Sequence, residues 1–105
     1  MAWETPAVIT FANRRELRRS YWHELGHVFD MQVLAPSGLR PAFAAIDGRP
    51  WTTPASEERF AQAYALCAHN KILRRPYKSE YHAFSLTPRQ FLRVCRLIRG
   101  AVQSG

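Results

Sequence analysis

The chain has 105 residues, room for one domain and not for two, and no run of roughly eighteen apolar residues that could cross a membrane. Its Lys and Arg number 15 against 8 Asp and Glu, so the net charge is +7, a balance that favours acidic partners such as nucleic acid or acidic protein segments. The opening MAWETPAVITFA carries Glu4 and lacks a basic n-region, which argues against a secretory signal and makes a cytoplasmic location the expectation.

Taken in chain order, PAVITF (6–11) reads as a short β-branched strand between Pro6 and Asn13. NRRELRRSYWHELGHVFDMQV predicts a long helix with Asn13 as its N-cap, ended by APSG. A short helix is expected over 41–46, stopped by Gly48 and Pro50. TTPASEERFAQAYALCAHNKILRR predicts a second long helix, capped by Thr53 or Ser56, with Pro54 in its first turn and Glu57 and Glu58 against the positive end of its dipole. RPYKSEYHAF reads as loop with room for an extended piece. TPRQFLRVCRLIRGAV begins with a capping box from Thr87 to Gln90, has Pro88 at N1 and is expected to end at Gly100. Cys67 and Cys95 lie in apolar helical patterns without CxxC spacing, so free, small buried thiols are expected in a reducing compartment; a disulfide between the two helices belongs to an exported chain. The fold class is therefore α+β, mainly α: one domain over 1–105 with three principal helices and a small strand element.

Chemistry concentrates in YWHELGHVFD. His23 and His27 are four apart and share a helix face, while Glu24 lies on the flank of that face. Two imidazoles with a neighbouring carboxylate suit a catalytic zinc: two nitrogen ligands and a base for its water. Glu16, Ser20, His23, His27 and Asp30 form one polar stripe, and Asp30 is placed to orient His27 from behind. Gly26 costs a helix interior about 1 kcal/mol relative to Ala, so a close approach of backbone or substrate is expected there. A third ligand is needed. Position 33 is Val, which rules out a histidine six residues after His27, whereas EERFAQAY offers Glu58, with Glu57 as the alternative. Ala61 would let two helices pack closely, and Gln62 could hydrogen-bond a ligand histidine. His69 lies eleven residues beyond Glu58, about 16 Å along a helix, and reads as a surface residue.

HELGH followed by E-x-x-A on a later helix resembles the gluzincins, metallopeptidases with a His-His-Glu zinc site. The stretch from HELGHVFD to PAFAAIDGRPWTTPASEERFAQAYALC is similar to the catalytic core of the anthrax lethal factor family, over residues 20 to 68. The resemblance implies a minimal zincin-like fold, one Zn²⁺ per chain held by His23, His27 and Glu58, and Glu24 as general base in the hydrolysis of a peptide or protein substrate. It departs from the family at Gln62, where the family has an acid, and at Trp51, where the family has an oxyanion-stabilising tyrosine. Other candidates for that last role are Tyr77, Tyr81 and His82, from the loop before the last helix.

Two rival readings come from the rest of the chain. Arg89, Arg93, Arg96 and Arg99 form one stripe on the last helix and Arg14, Arg15, Arg18 and Arg19 cluster at the start of the first; either could contact phosphates, or simply face solvent. A zincin-like module that binds without cutting is the other, encouraged by the small size and by the single strong strand candidate for holding a substrate.

Overall fold

The computed structural model describes the backbone of residues 14–104 and side chains over 21–103. The expected strand at 6–11 and the Asn13 cap lie outside the described residues, as do the side chains of Glu16, Ser20, Arg14, Arg15, Arg18 and Arg19. Among the described residues four α-helices follow one another: α1 (Arg14–Phe29), α2 (Arg40–Asp47), α3 (Ala55–His69) and α4 (Pro88–Ser104). Between α3 and α4, β1 (Tyr77–Lys78) pairs antiparallel with β2 (Ser85–Leu86), Tyr77 opposite Leu86, around a 3-10 turn at Tyr81–Ala83. The domain is mainly helical with a small sheet, as expected for an α+β chain.

The element ends follow local chemistry, with some departures from expectation. α1 does not run regularly to Val33; Asp30–Leu34 form a wider π-helical turn, and Ala35 N–H bonds back to Asp30 O at 2.8 Å. Pro36 then supplies no amide donor to extend the helix. α2 carries Pro41 in its first turn and ends on Gly48, whose φ of +83° is the left-handed cap that a side chain would strain. α3 begins without a side-chain cap. Ser56 Oγ instead accepts from Thr52 N at 2.8 Å, tying the preceding loop.

α3 also stops at His69 rather than continuing through 75. Asn70 turns extended and its side-chain amide donates to Leu66 O at 3.0 Å, while Pro76 biases Arg75 away from helical backbone. The capping box of α4 forms as expected: Gln90 N donates to Thr87 Oγ1 at 3.1 Å and Thr87 N to Gln90 Oε1 at 2.8 Å. Gly100 does not end that helix, which continues to Ser104.

α3 is the central element, with α1 packed on one side and α4 on another. Leu34, Phe43, Ile46, Phe60, Ala63, Phe84, Leu86 and Val94 form the core. Phe60 lies 5.2 Å from Phe43 ring to ring and 6.1 Å from Phe29, so three elements meet on one aromatic side chain. The free thiols expected for Cys67 and Cys95 are corrected. Packing of α3 on α4 brings their Cα atoms to 5.6 Å, and a disulfide joins them. Among the described residues, no helix is long and apolar enough to cross a membrane.

Candidate metal centre

The crossing of α1 on α3 is set by two small residues. A Cβ built on Gly26 would sit 2.7 Å from Ala61 Cα and 2.9 Å from Ala61 O, inside the contact limit of any real side chain. The close approach expected at Gly26 is therefore to backbone. Because Gly26 lies between His23 and His27, and Ala61 between Glu58 and Gln62, this contact faces the histidine pair toward the carboxylate. One turn of each helix thus supplies a half of the cluster.

Three ligand-capable side chains converge there. His23, His27 and Glu58 each offer one atom, all within 4.8 Å of one another. His27 Nε2 is 2.6 Å from Glu58 Oε2, and His23 Nε2 is 3.2 Å from Glu58 Oε1. Tetrahedral ligand atoms at about 2.1 Å from zinc are roughly 3.4 Å apart, so the set is compact enough to close on one ion. The donor chemistry fits as well. His23 Nδ1 donates to Gln62 Oε1 at 3.0 Å, and its Nε2 faces Glu58 Oε1 at 3.2 Å, where it donates a hydrogen bond when it carries a proton and offers a lone pair to a metal when it does not. Glu57 is not part of the cluster; its carboxylate lies 3.8 Å from Arg40.

Electrostatics around Glu58 favour its charged form. Partial burial raises its pKa, but the Tyr81 hydrogen bond and the two histidines outweigh burial and leave it below the usual carboxylate value. Tyr81 Oη donates to Glu58 Oε1, and its ring meets the His23 ring edge-on at 5.9 Å. Burial first, then the Glu58 hydrogen bond and the charges of Glu58 and Glu24, push the Tyr81 hydroxyl up to about 12. Glu24 is thus close enough for its charge to act on Tyr81.

The remaining candidates fall in different places. Gln62 links the cluster to Tyr77, its Nε2 donating to Tyr77 Oη at 3.3 Å, so Tyr77 stands behind His23 rather than beside Glu58. His82 is exposed at φ +52° and stacks edge-on against Tyr81, 4.5 Å between centroids. Asp30, expected behind His27, is instead 1% exposed and held by two 3.0 Å bonds from Arg40 Nε and Nη2. Trp51 packs edge-on against Phe43 at 5.9 Å with the Arg40 guanidinium over its ring, and its buried Nε1 has no partner among the described residues. His69 is exposed against Trp22, as read from the sequence.

Two arginines that sequence reasoning passed over hold the Tyr81 turn. Arg59, 4% exposed, donates to Asp47 Oδ2 at 2.9 Å, to Ser56 Oγ at 3.2 Å and to His82 O at 3.4 Å. Arg49 Nη2 donates to Ala83 O at 2.9 Å. His82 and Ala83 both have φ of +52°, a conformation that costs a side-chain-bearing residue about 1–3 kcal/mol and persists only where neighbours enforce it. The carbonyl bonds, and Phe84 fully buried behind them, are those neighbours. A signal existed: Arg59 falls on the buried 56–60–63 stripe of α3, where a surface arginine has no place.

Comparison with family models, with curated proteins and with solved structures finds no match. The helical fold and its His23–His27–Glu58 cluster, able to chelate a metal, are what the chain itself establishes.

Proposed function

We propose that this protein is a zinc-dependent metallopeptidase of gluzincin type, with the metal held by His23, His27 and Glu58. The observation that carries the reading is the convergence of those three side chains while Gln62 occupies the far nitrogen of His23. An imidazole whose second nitrogen is already hydrogen-bonded is oriented and made more basic for a metal. Bound zinc supplies Lewis acidity and lowers the pKa of a water to about 7.

The chain's own residues do the rest. Glu24, on α1 beside the cluster, takes the proton of the attacking water and returns it to the leaving amine. Tyr81, protonated across the neutral range, donates a hydrogen bond to the carbonyl oxygen as charge develops there. To do so its hydroxyl would leave Glu58, whose carboxylate would hold the metal together with His23 and His27. Tyr77 acts through Gln62 on His23 rather than on substrate, and Asp30 and Trp51 are structural. His82 buttresses Tyr81.

The test begins with metal content by plasma mass spectrometry. One zinc per wild-type chain is expected, lost in Glu58→Ala and kept in Glu57→Ala. Glu24→Gln should keep its zinc while hydrolysis of a fluorogenic peptide library falls about 10²–10⁴-fold. Folded, metal-supplemented wild type without zinc would refute the assignment. Zinc without hydrolysis would reduce it to a metal-binding module.

A further inference from the structure

The other concentration of chemistry lies on the outer face of α4. Phe91, Val94 and Ala101 are buried on one side of the helix, and Arg89, Arg93, Arg96 and Arg99 are exposed on the opposite side at spacings of 4, 3 and 3. α4 contains no acidic residue, and among the described residues no carboxylate pairs with any of the four. The buried side and the Cys67–Cys95 bond fix the helix to α3, so the four arginines spring from a fixed backbone line about 15 Å long.

We propose that this face docks on the phosphate backbone of a nucleic-acid duplex. A line of like charge on a fixed helix matches a polymer of evenly spaced phosphates, and arginine's planar fork meets phosphate oxygens in pairs. Protein partners need an apolar, charge-poor centre. Here the centre of the face offers only Leu92, 42% exposed, among four charges. A lipid surface would need the apolar side of α4, which the core already covers. The face makes no base-reading constellation, so binding is indifferent to sequence. α4 packs on α3, α2, β2 and the π-helical turn at Asp30–Leu34, whereas the metal cluster forms between α1 and α3 at positions 23, 27 and 58, so docking leaves the cluster open and does not depend on its activity.

The experiment is fluorescence anisotropy of the full chain with a labelled DNA duplex of about 20 base pairs across a salt series. Neutralising two to four phosphates gives a slope of log K against log[salt] of about −2 to −4. The variant Arg89→Gln/Arg93→Gln/Arg96→Gln/Arg99→Gln should weaken binding at least about tenfold and flatten the slope by about one for each phosphate left unneutralised. A second variant, Lys71→Gln/Arg74→Gln/Arg75→Gln/Lys78→Gln, removes the same charge from the exposed connection after α3 and the end of β1 and should bind like wild type. Circular dichroism establishes that both fold. Equal loss in the two variants would mean attraction by net charge alone, and undiminished binding by the α4 variant would mean another surface. Displacement of the duplex by a polyglutamate peptide at matched charge would assign the face to acidic proteins. Each of these three results overturns the proposal.

Discussion

Gln62 and Tyr81 act on the cluster from opposite directions. Gln62 holds the far side of His23, and Tyr81 reaches Glu58 from the open side. Gln62→Leu keeps the volume and removes the hydrogen bond, so zinc affinity measured by chelator competition should fall about 10–100-fold with the fold intact. Tyr81→Phe keeps the ring against His23 and removes only the donor. It should retain its zinc and lose about 10²-fold in kcat, with little change in KM. Burial, the Glu58 hydrogen bond and the charges of Glu58 and Glu24 push the Tyr81 hydroxyl up to about 12, so it stays a hydrogen-bond donor throughout the neutral range. Gln62 was legible from its spacing after Glu58. Tyr81 could not be separated from Tyr77 and His82, because the backbone of a loop with two positive φ values decides which side chain turns inward.

Elements are placed by the contact of Gly26 with Ala61. Alanine at position 26 raises helix propensity by about 1 kcal/mol, yet its Cβ would meet Ala61 Cα at 2.7 Å and Tyr64 Cβ at 3.1 Å. Two of the opposing atoms, Ala61 Cα and O, are backbone, so the helices must separate rather than a side chain rotate. Overpacking of about 1–3 kcal/mol against a propensity gain of about 1 kcal/mol leaves Gly26→Ala less stable by up to about 2 kcal/mol in urea titration, and it should weaken zinc binding by drawing Glu58 away from the histidines. A variant that proves more stable and binds zinc normally would contradict this account of the crossing. The glycine and the alanine were both readable as signs of close packing, each on its own helix. That they meet each other was not, since no local pattern specifies a helix's partner.

At the scale of the molecule, the Cys67–Cys95 bond closes a loop with a separation of 28 residues across α3 and α4. Loop-closure entropy puts its contribution at about 3–4 kcal/mol. Mild reduction, or the Cys67→Ser/Cys95→Ser variant, should lower the melting temperature by about 10–20 °C in a domain of this size. Thiol titration of the native protein should find no free cysteine. Disulfides persist in oxidising compartments and seldom in a reducing cytosol, so the bond runs against the free thiols and reducing compartment expected from the sequence. The buried Asp47–Arg59 pair and the half-buried Asp30–Arg40 pair belong to this scale too, since each ties segments that pattern reading treats separately.

By itself the sequence determined what depends on neighbours along the chain. His23 and His27 on one face, the Thr87–Gln90 box and the opposed arginine and apolar sides of α4 all follow from helical period and capping chemistry. Tertiary structure alone decided that Asp30 turns to Arg40 instead of His27, that Tyr81 and not Tyr77 reaches Glu58, and that the two cysteines face each other. A helical period names the face a side chain occupies. Only the packing of faces, fixed here by Gly26 on Ala61 and by the arginine-held turn at 81–83, says what that side chain touches.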